Sequence, residues 1–534
     1  MSFWVLLVAC APEPEPLPDP DLVTEIRVEP ETITLTTGPE GESAYAYRAV
    51  ATLESGVTQD LALAEWTLSN RSVGEIDETG RFVASNENGG VSWVIARYAG
   101  VEGRATLTVL YEDYDNPEGL DISGFGSGTT EPAELWLYPE DGVNIPRNTP
   151  SVTFMWRAVE GAAAYRLRFR SEVTNFTAYT AATHFTAEVE TWQNLVATNA
   201  GGQLQVELAA VKEGVVYEDE PLTVTVNRMD STGTIIYWST SAQGLMQIPY
   251  GDAASELLTV NQTGHCVACH AVSSQGRVAY TYDGGNGAMG LADVETATEV
   301  VAADGGLAGN FKTFSPDGNY LLSTSFGALL LHDGVTGAYL WTVPMSVAAT
   351  QVDWSPDGTR VALVVTPGHT NDWTYSGGSI AVMEHYGDGQ FGEPWILVPY
   401  TDGVNNYYPA WSPDGEWIAF NRSTGDSYDD PDAMVWVVRA DGSEDPVPLD
   451  AANQTSGLYN SWPKWGPLPD DDILWLAFSS RRSYGDVVTG APQIWVAGFD
   501  PARAAEGVDP SWPAFWLANQ DSGQNNHIPV WVDR

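Results

Sequence analysis

Apolar and polar residues alternate at period two along most of the chain, which predicts half-buried strands rather than amphipathic helices. Near the N-terminus the pattern is carried by Ile26–Val28, Tyr45–Val50, Trp93–Ile95 and Ala105–Val109. Further on it is carried by Val152–Trp156, Ala164–Phe169 and Leu204–Leu208. From about 234 onward the chain repeats itself. Phe314-Ser-Pro-Asp-Gly318, Trp354-Ser-Pro-Asp-Gly358 and Trp411-Ser-Pro-Asp-Gly415 each precede an apolar run, and degraded copies begin at Val272 and Trp462. In this motif Pro presets φ, Asp caps the turn and Gly accepts a positive φ, so each copy predicts a tight turn between two strands. Copies fall near 272, 314, 354, 411 and 465, spacings that suit one four-stranded sheet each. Three strands share Pro-x-Trp, at Pro409–Trp411, Pro463–Trp465 and Pro529–Trp531. The last of these is expected to complete a sheet begun by the hairpin Ile235–Thr240 and Gly244–Pro249. That gives five successive sheets and one composite, six in all, with N-to-C closure that leaves no sheet edge free. The predicted class is all-β.

These repeats resemble TolB-like β-propellers, which implies a six-bladed propeller over 234–534. Ala64-Glu-Trp66 followed by Val73 through Ile76-Asp-Glu-Thr-Gly80-Arg-Phe82 resembles bacterial immunoglobulin-like group 2 domains. That resemblance implies a sandwich over 23–112, used as a spacer or adhesive module without chemistry of its own. Trp156 and Tyr165, on neighbouring predicted strands, resemble the pattern of a fibronectin type III sandwich and place one at 133–228. The Gly-rich, acidic stretch 113–132 is expected as a linker. Its Ser127 stands in Gly-Ser-Gly without the strand–turn–helix setting of a nucleophile elbow. His184, in a threonine-rich stretch, is expected on the surface.

Composition narrows the partners. With 71 acidic and 23 basic residues the formal charge is −48, a field that repels nucleic acid and anionic membranes. The N-terminal Leu7-Val8-Ala9-Cys10 resembles a bacterial lipobox, followed by the stiff tether Ala11-Pro-Glu-Pro-Glu-Pro16. It departs from the pattern in having no basic residue before a short apolar run. The resemblance implies that 1–22 is a lipoprotein signal and tether with Cys10 lipidated. Since Ala11 is not aspartate, it further implies an outer-membrane lipoprotein facing the periplasm or cell exterior. Membrane contact is then expected only through that lipid.

The chemistry converges on His265-Cys266-Val267-Ala268-Cys269-His270. Only three cysteines are present, and two of them form Cys-x-x-Cys-His, the pattern of c-type haem attachment. Two thiols one turn apart add to the two porphyrin vinyl groups, and the histidine after them binds the iron. The alternative is a Cys266–Cys269 disulfide, redox-active or structural. A zinc site lacks the second cysteine pair that four ligands require. Aligning the inner strands sets His270 at the place of Pro409, on the rim of the central channel. With that closure His527 is the first candidate for the sixth iron ligand, ahead of Met289 and Met246. His265 is too near in sequence to reach the opposite haem face. A strand repeat begins directly after His270, so the usual helical cytochrome pocket is not expected.

Other matches are weaker. Gly285-Asn-Gly287-Ala-Met-Gly290 precedes a strand-like run and reads as a hairpin, not a dinucleotide site. Asp429, Asp430 and Asp432, and separately Asp470, Asp471 and Asp472, could hold Ca²⁺ but lack the EF-hand order. Arg481 and Arg482 could bind haem propionates or loop carbonyls. Two functions are expected from these residues. One is an envelope protein with one haem c, acting in electron transfer or redox sensing with an envelope or redox partner. The other is a non-catalytic propeller that recognises a protein, peptide or glycan. A hydrolase is not expected, for no segment remains to host a Ser-His-Asp site.

Overall fold

A computed structural model of the chain describes residues 18–534 apart from 40, 42, 127, 304–306, 369, 370, 470, 471 and 489. Strands dominate, and the longest helix among the described residues is Val189–Thr198; the protein is all-β, as the period-two pattern predicts. It divides into two compact units. The first runs to Pro117 and takes in Leu167–Tyr179 and Ala197–Asn199. Within it Val23–Glu29 pairs antiparallel with Arg48–Leu53, and Gly90–Tyr98 with Val101–Asp115. Ile26, Val28, Val94, Ala96, Leu107 and Val109 point inward at alternate positions. The turn Asp77–Arg81 is closed by the Asp77 carboxylate, which accepts from the N–H groups of Thr79 (2.9 Å) and Arg81 (3.0 Å). Gly80 has φ +80°, and a Cβ there would strike the Trp66 ring at 2.8 Å, so only glycine fits. Val101–Asp115 runs on into the stretch expected as linker and pairs in parallel with the strand Thr174–Thr180, from Tyr111↔Thr174 to Asp115↔Ala178.

The second unit holds the remainder, Glu118 onward. Trp136–Tyr138, Thr153–Trp156 and His184–Thr186 form one of its sheets, and Gly202–Lys212 pairs with Val215–Glu218 and Leu222–Val226. Trp156 and Tyr165 are buried with ring centroids 5.4 Å apart, while His184 is exposed. The helix Val189–Thr198 breaks the strand pattern. Its Trp192 is buried and donates to the Thr149 carbonyl at 2.8 Å.

Among the described residues from Thr234 on, the chain makes six four-stranded antiparallel sheets. The first opens with β1 (Thr234–Ser239), β2 (Gly244–Pro249) and β3 (Ser255–Leu258). The inner strands of the next five are β4 (Val267–Val272), β5 (Lys312–Phe314), β6 (Ala348–Trp354), β7 (Asn405–Trp411) and β8 (Ser461–Trp465). The last strand, β9 (Asn526–Val532), pairs with β1 through Ile235↔Trp531 and Trp238↔His527. Each inner strand packs beside the next, β4 on β5 through β8 on β9, and β9 packs beside β4. The sheets therefore ring a channel, in the arrangement of a β-propeller.

Both ends of the inner strands have a local cause. At one end sit the Ser-Pro-Asp-Gly turns. Gly318, Gly358 and Gly415 have φ of +70°, +75° and +74°, and each N–H returns to the serine carbonyl three residues back. Toward the other end the ladder breaks in a bulge, between Ala268 and Ala271 in β4, Thr350 and Asp353 in β6, Tyr407 and Ala410 in β7, and Ser461 and Lys464 in β8. The first bulged residue has positive φ in every case: Cys269 +27°, Gln351 +51°, Tyr408 +51°, Trp462 +58° and, in β9, Ile528 +55°. Neighbouring sheets supply acceptors for the N–H groups the bulge frees. Tyr408 donates to Gln351 Oε1 (2.8 Å), Trp462 to Asn421 Oδ1 (2.9 Å) and Ile528 to Ser479 Oγ (3.1 Å).

Candidate functional site at the mouth of the channel

The Cys-x-x-Cys-His stretch is delivered by a short capped turn. Thr259 accepts from Asn261 N, and Gln262 Oε1 accepts from Thr259 N at 2.9 Å. Gly264, at φ +72°, then reverses the chain. Asp283 pins the next two residues: one carboxylate oxygen pairs with His265 Nδ1 at 2.8 Å and the other accepts from Cys266 N at 3.3 Å. Cys266 is thus held half-buried at the rim where the inner strands begin. From Val267 the motif is a strand, not the helical turn its spacing suggested. Val267 and Ala268 are laddered to Tyr282 and Thr281, and that pairing overrides the spacing. The two thiols are free. Cys269 occupies the bulge and packs with Phe311, Trp373, Tyr408 and Trp462. Those rings form one plug across the channel: Tyr408 stacks on Trp462 at 3.8 Å, and Phe311 meets Trp373 at 4.6 Å and Trp462 at 5.7 Å.

His270 is 7% exposed, and its Nε2 donates to the Ile236 carbonyl of β1 at 3.2 Å. Its Nδ1 has no partner. Burial pushes its pKa down to about 4, against a small upward pull from that bond, so the ring is neutral at ordinary pH. Burial likewise pushes the Cys269 thiol up to about 12 and, with the Asp283 charge, raises Cys266. Beside them lies a cation that belongs to none of the sequence motifs. Lys312 occupies in β5 the position His270 has in β4, and its Nζ donates to the carbonyls of Cys269 (2.7 Å) and Asn310 (2.8 Å) and to Thr281 Oγ1 (2.7 Å). Burial brings its pKa down to about 7. The signal was present: a lysine between Phe311 and Phe314, at a position where other inner strands carry proline, is out of place in an apolar strand.

His527 lies one residue before its bulge, edge-on to Trp462 at 5.8 Å. It lines a separate small cavity with Arg481, Asp429 and Tyr428, not the one lined by Cys269 and His270. Burial, helped by the Arg481 charge, pushes it down to about 3. Met289 is fully buried among Ala271, Leu291 and Phe314, in the apolar core between sheets. Met246 sits half-buried on β2, opposite Tyr237. Among the described residues, none of the three lines the cavity that Cys269 and His270 line. Of the arginine pair, Arg482 is buried and holds Ala452 O and Asn460 Oδ1, each at 2.8 Å. Arg481 pairs with Asp429 at 2.8 Å and covers the Tyr459 ring. Asp430 accepts from the backbone of Gly425 and Asp432, and among the described residues no three acidic, histidine or cysteine groups converge as a metal ion requires. Cys10, Asp470 and Asp471 lie outside the described residues.

A haem fits this donor set at its thiols, which are unpaired, one half-buried on the rim and the other buried against aromatic rings. It does not fit inside the channel, where the cavity beside Cys269 and His270 is about 50 Å³, and His270 is committed to Ile236 in the conformation seen. Among the described residues no helix is long and apolar enough to cross a membrane.

No protein-family model and no curated protein sequence matches the chain. Solved structures similar to it include TolB from Acinetobacter baumannii, 16% identical with a TM-score of 0.38 over 62% of this chain and 79% of that one. Hydrazine synthase from Kuenenia stuttgartiensis is 12% identical with a TM-score of 0.34 over 57% and 75%. Dihydro-heme d1 dehydrogenase NirN in complex with DHE is 14% identical with a TM-score of 0.32 over 55% of each. All three TM-scores are below 0.5.

Proposed function

We propose that this is a cell-envelope protein whose six-bladed, TolB-like propeller, closed by β9, carries one haem c at the channel mouth for electron transfer or redox sensing. Cys266 and Cys269 hold it through two thioether bonds. The observation that carries this reading is the pair of free thiols, one on the rim and one against the aromatic plug, directly before a histidine. The bound group would supply a one-electron couple. Phe311, Trp373 and Trp462 would offer its ring apolar surface and keep water from it, and Arg481 could serve a propionate only by giving up Asp429. His270 can serve the iron only by giving up the Ile236 carbonyl. The N-terminal sandwiches, immunoglobulin-like and fibronectin-like, act as spacers behind a lipid on Cys10, with an envelope protein as partner.

A second reading rests on the same packing. The small cavity and the committed His270 favour a propeller that recognises a protein, peptide or glycan with no haem at all. One experiment separates the two. The protein is exported in a host that matures c-type cytochromes, then examined for a Soret band and for haem that survives a denaturing gel. The haem reading expects both signals and their loss when Cys266 and Cys269 are both replaced with Ala. A colourless wild-type protein overturns it and leaves the recognition scaffold.

A further inference from the structure

The cavity between the inner strands is richer in donors and positive charge than in acceptors. Two ammonium groups line it. Lys464 is neutralised by Asp353 at 2.6 Å, a carboxylate that also takes the Trp411 N–H at 2.8 Å. Lys312, 7% exposed, has no carboxylate: its three partners are two carbonyls and a hydroxyl. Gln351 is 3% exposed, and its Oε1 is taken by Tyr375 Oη (2.7 Å) and Tyr408 N (2.8 Å). That fixes the amide and leaves its Nε2 donors without a partner, in a side chain that lines the cavity. The Tyr408 hydroxyl and the Trp462 indole N–H, on the same lining, are also unpartnered. Of the unpartnered side-chain atoms on this lining, His270 Nδ1 can accept and the Tyr408 hydroxyl can donate or accept. An ammonium buried without a counter-charge, beside N–H groups without acceptors, is costly unless a negative group joins them. The room, about 50 Å³, suits a single ion the size of chloride, since one water takes roughly 30 Å³.

We propose that this cavity is a binding site for one small monovalent anion of halide size, held by the charge of Lys312 and the amide N–H groups of Gln351. The site does not depend on haem, because its groups lie on β5 and β6 and use neither thiol. A chloride there would neutralise the ammonium and lock the two strands that flank it. A water could satisfy one or two donors but would leave the charge uncompensated.

The test uses the full-length protein as purified. Crystals grown with sodium bromide in place of chloride should show an anomalous peak in the cavity, at hydrogen-bond distance from Gln351 Nε2. In solution, chloride or bromide at fixed ionic strength should raise Tm by about 1–2 °C over gluconate, and Gln351→Leu should abolish the difference while the variant still unfolds cooperatively. Lys312→Met should abolish it too, and Gln351→Leu decides the matter if that variant does not fold. A cavity without an anomalous peak, or a halide effect that persists in Gln351→Leu, overturns the proposal.

Discussion

Inner strands β4, β7, β8 and β9 use one backbone device in two ways. In β7, β8 and β9 the bulge reads Tyr408-Pro409, Trp462-Pro463 and Ile528-Pro529; in β4 it reads Cys269-His270. In the proline strands the positive-φ residue is a large apolar side chain that fills the channel, and the proline after it needs no acceptor and presets its φ. A non-glycine residue in that conformation costs about 1–2 kcal/mol, which the filled channel offsets. In β4 the backbone does the same thing, yet the side chains are a thiol and an imidazole. The difference teaches that the bulge, where an inner strand carries it, does not prescribe one side chain. A strand whose bulge is guaranteed by its neighbours is free to carry chemistry.

The comparison breaks first if the ring does not depend on β9. A chain ending at Asn525 loses the strand that β1 pairs with and exposes an edge. It is expected to lose the cooperative unfolding transition altogether and to aggregate, as seen by calorimetry and size-exclusion chromatography. Next comes the apolar filling. Trp462→Ala removes a buried indole stacked on Tyr408 and should cost about 3–5 kcal/mol in urea unfolding. A loss under about 1 kcal/mol would show that the filling is dispensable in the proline strands too.

A smaller effect comes from Lys312, which stands at the proline position of β5. As a base whose folded pKa of about 7 lies below its ordinary 10.5, it binds fewer protons in the folded state than in the unfolded one. In halide-free buffer stability should therefore be lowest below pH 7 and rise toward pH 10.5, by at most about 1.4 kcal/mol per unit. Of the groups facing it, His270 is neutral throughout that window, whereas the Cys269 thiol, about 12 when folded against an ordinary 9.0, pulls the other way above about pH 9. Urea midpoints at about pH 7 and about pH 9.5 check this, and Lys312→Met should flatten the slope; an equal slope in both proteins refutes the assignment. The smallest effect is at the bulge itself. Pro463→Ala should cost about 0.4–1 kcal/mol through the unfolded chain, whereas His270→Pro, which loses one hydrogen bond and gains a preset φ, should shift stability by no more than about 1 kcal/mol. A far larger loss in His270→Pro would mean that β4 is not interchangeable with its neighbours.

Much of this was legible in residue order. Ser-Pro-Asp-Gly states its own turn, because Pro, Asp and Gly each act within four residues, and Gly318, Gly358 and Gly415 adopt the φ expected of them. The Pro-x-Trp strands marked their shared place, and the pairing of β9 with β1 could be read from the hairpin left over at Ile235. The spacing of Cys266 and Cys269 did not reveal that Val267 and Ala268 are laddered to Tyr282 and Thr281, since a spacing of three suits a helix and a bulged strand alike. Nor could His527 be placed. Being one residue from the bulge turned it toward Arg481 rather than toward His270, and a strand changes face with every residue.

Local chemistry in the sequence was enough to determine the strand content, the turns, the repeat and the two cysteines beside a histidine. Each of those depends on groups a few residues apart. The tertiary structure alone decided what surrounds them: the aromatic plug against Cys269, the Ile236 carbonyl on His270, and a lysine without a carboxylate beside an unpartnered amide. Those neighbours come from strands far apart in the chain. Closing the ring takes them out of water together, and only then does the low dielectric turn each missing partner into a free-energy cost.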